Sequence, residues 1–214
     1  MDIRQLDHQA LLLTGEVISQ VKTDHLRLAT PCADWTLYGL VRHLVSQNAG
    51  VAASARGTGE PWAVWRAGDL RDDPAGAYEA SVGEATAAFA EDDVLERRFA
   101  LPEVGEGFAV PGRMAIGFHL LDYMAHAWGI AVTIGTAWET AAELTITALC
   151  VAALVPDETH GAGAALRVAA LVPDEIHGAG AAFRQRIAVP HDAPQGDHLL
   201  ALLGRDPSST PVPC

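Results

Sequence analysis

The stretch FHLLDYMAHAWGIA, residues 118–131, decides how the chain is read. It belongs to one apolar helix predicted from 113 to about 134, opened by Pro111 and Gly112 and ended by Gly135. Asp122 and His126 lie about one turn apart on it, so their side chains leave the same face. A carboxylate and an imidazole pointing the same way can form half of a metal site. They can equally form a solvated i,i+4 ion pair. His119, a turn earlier, is either an outer partner of that pair or an exposed helix position. Trp128, two residues after His126, is the first choice for a pocket wall.

The rest of the chain also reads as helices. Residues 2–24 carry a stripe of Leu6, Ala10, Leu13, Val17 and Val21, with Asp2 as cap. Thr36 can cap a second helix over roughly 37–56, with Leu37, Leu40, Val41, Leu44 and Val45 on one side. A third helix is predicted over roughly 75–91, where Tyr78, Val82, Ala85 and Phe89 share a face. Between helices three and four, ERRFALPEVGEGFAVPG alternates, turns at GEG and alternates again, which predicts a short hairpin. A fifth helix is expected at about 139–154. After it come a strand-like IAVP at 187–190 and a short helix at about 194–203.

One segment is written twice. VAALVPDETHGAGAALR at 151–167 is followed at once by VAALVPDEIHGAGAAFR at 168–184. Two short copies cannot build a stacked array, so this is a local duplication and not a solenoid. It makes His160 and His177 a matched pair, expected on the surface. The sequence therefore divides into a bundle, 1–150, and a C-terminal appendage, 151–214, that contains the repeat.

Bulk properties narrow the function. The net charge of −13, with no basic cluster, argues against nucleic acid, since nothing would offset phosphate repulsion. The most apolar run, ITALCVAALV, is too short to span a membrane. Cys32, Cys150 and Cys214 are far apart and form no CxxC, so a reduced cytoplasm is expected and a disulfide framework is not. Cys32 reads as a structural thiol, having no His or Lys beside it in sequence. A small-molecule substrate is the expected partner, and a homodimer is compatible with the chain.

A third ligand would have to come from another helix. His43, in LVRHLVSQN, is the obvious candidate, and a hydrogen-bonded core histidine is its alternative. Two histidines and a carboxylate hold a divalent ion and leave positions open for water or substrate. Such an ion could activate a thiol, generate hydroxide or polarise a carbonyl, and the ligands alone do not choose. Asn48 and Arg113 are further candidates for contact with a polar substrate.

The run TPCADWTLYGLVRHLVSQNAG resembles the TPCxxW-T-xxxLvxHLvxxN signature of the actinobacterial mycothiol-dependent maleylpyruvate isomerase-like proteins, within the DinB-like metal-binding superfamily. LLDYMAHAWGIAVTIG resembles their (E/D)-xxx-H-x-W-D-L-A-x-x-x-G block, and DAPQGDHLLALLGRDP their LGRxP ending. The resemblance implies an all-α, up-and-down four-helix bundle with the hairpin between helices three and four and a small C-terminal appendage. It implies a metal, usually zinc, held by His43, Asp122 and His126 between helices two and four, and mycothiol as thiol cofactor. Two positions depart from the pattern: Gly129 stands where the family has Asp, and Asp122 where Glu is commoner.

The leading expectation is thus a metal-dependent thiol transferase or isomerase. An isomerase or cyclase of natural-product biosynthesis on the same scaffold, with the metal lost or structural, is the alternative. A non-catalytic metal- or ligand-binding protein is the third.

Overall fold

The computed structural model of the protein describes residues 2–32, 35–153 and 187–209. Four long helices make a bundle: α1 (Ile3–Ile18), α2 (Leu37–Ala55), α3 (Pro74–Phe89) and α4 (Gly112–Ile134). The hairpin pairs β1 (Arg98–Ala100) with β2 (Ala109–Pro111), antiparallel, with Phe99 opposite Val110. It sits between α3 and α4, as the alternation predicts. Two shorter helices, α5 (Ala142–Ala153) and α6 (Gln195–Leu202), follow.

The ends are set by local chemistry. At α1, the Asp2 carboxylate accepts from Arg4 N–H at 3.0 Å, and the Gln5 side chain accepts from Asp2 N–H at 3.2 Å. Each bond satisfies a donor that the helix itself cannot. Thr36 Oγ1 accepts from Gly39 N–H at 3.3 Å to start α2, and Asp73 caps α3 ahead of Pro74. Gly135 takes a left-handed conformation (φ 70°) and stops α4. Helix α1 ends at Ile18, earlier than the stripe suggests, and a 3-10 turn over Thr23–Arg27 follows.

Helix directions follow from cross-helix partners. Asp7 meets His119 and Gln20 meets Thr136, so α1 and α4 run the same way. Tyr123 reaches Leu44 and Gly129 faces Leu40, so α2 runs against α4. Tyr78 reaches Leu11 and Thr86 meets His8, so α3 runs against α1 and alongside α2. The long connection 56–73 makes the parallel α2–α3 step possible; it seats Trp65 against Gly50, where a Cβ would lie 2.3 Å from the indole ring.

The main core joins α1, α2 and α4 through Leu11, Ile18, Leu40, Leu44, Leu120 and Met124. Each such side chain contributes about 1.5–3 kcal/mol on burial. Leu144 and Ala148 of α5 and Leu199 of α6, with Leu203 just beyond it, belong to the same cluster, so the C-terminal helices complete this core. A second cluster under the hairpin gathers Trp65, Phe89, Phe99, Val110 and Ile116. Residues 187–190 are extended, tied by Ile187 N–H to Ala201 O at 2.9 Å, and are not a strand. The repeat starts in the last residues of α5; the rest of it, His160 and His177 included, lies outside the described residues. Among the described residues no helix is long and apolar enough to cross a membrane.

Candidate metal centre

His43 sits in the second turn of α2, and Asp122 and His126 occupy successive turns of α4. The antiparallel packing of those helices brings the three side chains together. One donor atom from each lies within 4.8 Å of the others. His126 Nε2 is 3.1 Å from Asp122 Oδ1, and His43 Nε2 is 3.6 Å from Asp122 Oδ2. The His126 side chain is only 6% exposed, whereas those of His43 and Asp122 keep 21% and 30%. The cluster is thus anchored on one side and open to solvent on the other.

The loop that enters α2 covers the anchored side. Thr30 organises it: its N–H donates to Trp35 O at 3.1 Å and its hydroxyl accepts from Cys32 N–H at 3.1 Å. Leu37 N–H closes the loop on Leu28 O at 2.9 Å. This holds Trp35 against the site, its ring centroid 4.6 Å from that of His43 and 5.9 Å from that of His126. It also buries Cys32, whose Sγ lies 3.6 Å from His126 Nδ1. The histidine that Cys32 lacks in sequence is supplied across the fold.

Charge is concentrated here. Burial disfavours the Asp122 carboxylate, but His126 and then His43 outweigh it and hold the acid well below its ordinary range. Burial also works against the His126 cation, yet Asp122 and Cys32 raise its pKa to about 10. Burial pushes the Cys32 thiol up, but His126 and then Arg205 leave it below its usual value. Arg205 is a buried residue just after α6, and its Nε has no partner among the described residues. Glu103, on the hairpin turn, accepts from Gln47 Nε2 at 2.5 Å, and Gln47 is one turn beyond His43 on α2. Burial pushes the Glu103 carboxyl up, against the pull of His43.

The other sequence candidates lie elsewhere. His119 is neither exposed nor beside the cluster. Its Nδ1 bonds Asp7 Oδ1 at 2.7 Å inside the bundle, and its ring packs on Tyr123. Asn48 is fully buried and donates to Ser81 Oγ at 2.9 Å. Arg113, at the first turn of α4, pairs with Glu96 at 3.0 Å on the surface. Trp128 is buried, but among the described residues the aromatic ring on the cluster is Trp35. Two residues past His126 is more than half a turn around the helix, which turns Trp128 away. Sequence reading missed the roles of Cys32, Trp35, Glu103 and Arg205 here. The TPCxxW spacing was the available signal for the first two.

Among the described residues, two histidines and a carboxylate from two antiparallel helices of a bundle form a group that could hold a metal ion. Residues 13–131, which hold all three side chains, match the family described as Mycothiol maleylpyruvate isomerase N-terminal domain. The chain belongs to that family. It is also 30% identical over 190 residues to two uncharacterized proteins of Mycobacterium tuberculosis, MT0763 (strain CDC 1551 / Oshkosh) and Rv0738 (strain ATCC 25618 / H37Rv). Each match covers 88% of this chain and 90% of the relative. The fold is similar to that of the crystal structure of the mycothiol-dependent maleylpyruvate isomerase, with a TM-score of 0.56 at 17% identity. That match covers 71% of this chain and 66% of the other, just under two thirds of its length.

Proposed function

We propose that this protein is a metal-dependent enzyme that activates a small thiol of the mycothiol type, for transfer to an electrophile or for isomerisation through a thiol adduct. The observation that carries this reading is the convergence of His43, Asp122 and His126 within 4.8 Å on the half-open side of the bundle. The donor set fits a borderline divalent ion, zinc foremost: two neutral imidazoles and a carboxylate, with room for an exogenous ligand. Such an ion, when bound, lowers the pKa of a thiol or water at that open position and polarises a carbonyl.

The chain's own groups set up the rest. Trp35 shields one side of the two imidazoles. Partial exposure of His43 and Asp122 leaves the approach for substrate there. Glu103, oriented by Gln47, is the acid placed to take the proton that an arriving thiol must lose. Replacing Glu103 with Gln is expected to lower turnover by about 10²–10⁴-fold, the usual range for a lost acid–base group, at unchanged metal content. Equal turnover in the two proteins would remove Glu103 from that role.

Metal loading should depend steeply on pH. Ligation needs the Nε2 lone pair of His126, which is protonated below about pH 10 when Asp122 and Cys32 are its only partners. Binding must expel that proton, so apparent affinity should rise about tenfold per pH unit from neutrality upward and flatten near 10. Chelator competition between pH 6.5 and 9 measures the slope; a flat profile contradicts it.

The function itself is tested with purified, zinc-reconstituted protein. Close to one equivalent of metal is expected, with metal-dependent isomerisation of maleylpyruvate that requires mycothiol and returns it unconsumed, or metal-dependent conjugation of mycothiol to an activated aryl halide with release of halide. Less than about a tenth of an equivalent after reconstitution rules out the metal site. Stoichiometric metal with no thiol chemistry leaves a binding protein instead.

A further inference from the structure

Imidazole ligands are held in place by what their second nitrogen touches, and in most metal sites that partner is a carboxylate, a carbonyl or water. At His126 the arrangement differs. Its Nε2 faces Asp122 at 3.1 Å and the cluster beyond, and its Nδ1 faces Cys32 Sγ at 3.6 Å. Among the described residues the sulfur is the sole hydrogen-bonding partner of Nδ1. The geometry points to Cys32 as the positioning residue of His126: its sulfur accepts the Nδ1–H bond that aims Nε2 at the metal, a place usually taken by oxygen.

Three further observations carry this. Cys32 is 5% exposed and is held by the Thr30-centred loop, so the sulfur is fixed and water is kept from Nδ1. Gly129, almost one turn beyond His126, brings no competing side chain into that space; a Cβ there would sit 3.8 Å from the sulfur. The ring of Trp35 packs beside that of His126, with centroids 5.9 Å apart. With Nδ1 carrying the hydrogen, Nε2 presents its lone pair to Asp122 and His43, which is the direction ligation requires. Cys32 then acts through His126 and not on the substrate, which accounts for a cysteine buried beside a reactive centre.

This inference rests on the proposed metal reading, and the test separates the two. Zinc affinity is measured by chelator competition on the full chain, for the wild type, Cys32→Ala and Cys32→Ser, with helicity followed by circular dichroism. Cys32→Ala is expected to bind zinc about 10–100-fold more weakly at unchanged helicity, the usual loss for an outer partner of a ligand. Cys32→Ser, which keeps an acceptor, should lie between it and the wild type. Equal affinity in all three overturns the role of Cys32 and leaves the metal site standing. No zinc binding by the wild type overturns the metal reading itself. Should the variants fail to fold, nitrogen-15 spectra of histidine-labelled, zinc-loaded wild type decide. Hydrogen on Nδ1 of His126 and metal on Nε2 support the assignment, and the reverse overturns it.

Discussion

Replacing His126 with alanine is expected to abolish metal retention while leaving the bundle folded. Structural zinc sites with four ligands are worth about 10–16 kcal/mol, so one ligand accounts for roughly 3 kcal/mol and its loss for more than about a hundredfold in affinity. The remaining pair, His43 and Asp122, belongs to two helices and is partly exposed, so no rigid site is left. Helicity should survive, because the core around Leu40, Leu44, Leu120 and Met124 does not depend on the ring. Metal analysis after dialysis, beside a far-ultraviolet spectrum, checks both halves. Wild-type metal content in His126→Ala would mean that the ion binds elsewhere.

The metal-free protein has its own pH signature. The raised pKa of His126 means that its pairing with Asp122 stabilises the fold fully below about pH 6.5, the ordinary histidine value, and ceases to do so as pH rises through about 10. Asp122 works in the opposite sense: its depressed pKa contributes stability above the usual carboxylate value, lost in acid. Over the neutral range the two charges hold each other, and on the proposed reading a metal ion would have to compete against that pair as well as against water.

The second large effect is on stability. Asp7→Ala should destabilise the protein by about 3 kcal/mol, the upper end of what leaving a buried hydrogen-bonding group unsatisfied costs. Asp7 and His119 side chains are 1% and 2% exposed, and their bond is 2.7 Å. Among the described residues His119 Nε2 already has no partner, so removing Asp7 strands both ring nitrogens. In a protein of this size the midpoint of thermal unfolding should fall by roughly 6–12 °C. Asp7→Asn, which retains a hydrogen-bonding oxygen, should fall much less. A shift within about 2 °C for the alanine variant would show that the pair is replaceable by water. The pair also bears on the site indirectly. It ties α1 to α4 next to Tyr123, and the Tyr123 hydroxyl donates to Leu44 O at 2.5 Å, joining α4 to the residue after His43.

Much of this was legible in the residues. The four bundle helices, the hairpin and the short helix before the LGR ending follow from apolar spacing, from Asp2, Thr36 and Gly135 as end signals, and from the GEG turn. Asp122 and His126 were visible as a pair because helix geometry alone places them on one face. His43 joined them through a motif resemblance, since nothing local links positions 43 and 122.

What stayed hidden were relations between elements. Cys32 read as an isolated thiol because its histidine is 94 positions away. His119 read as an outer partner of the metal pair or as a surface residue, because Asp7 is 112 positions away. Trp128 read as the pocket wall by proximity in sequence, yet the helix turns it aside and the α2 entry loop supplies Trp35. Glu103 sat in a turn with no visible partner until the hairpin placed it on Gln47.

The sequence by itself determined the local periodicities: which segments are helices, where they stop, and that one helix presents a carboxylate and an imidazole together. Short-range sterics, capping bonds and the 3.6-residue repeat suffice for that. Only the tertiary structure decided that α2 runs against α4 at the level of His43, and that the TPC loop sets a sulfur behind His126. Those outcomes depend on which apolar faces pack together, a property of all the helices at once.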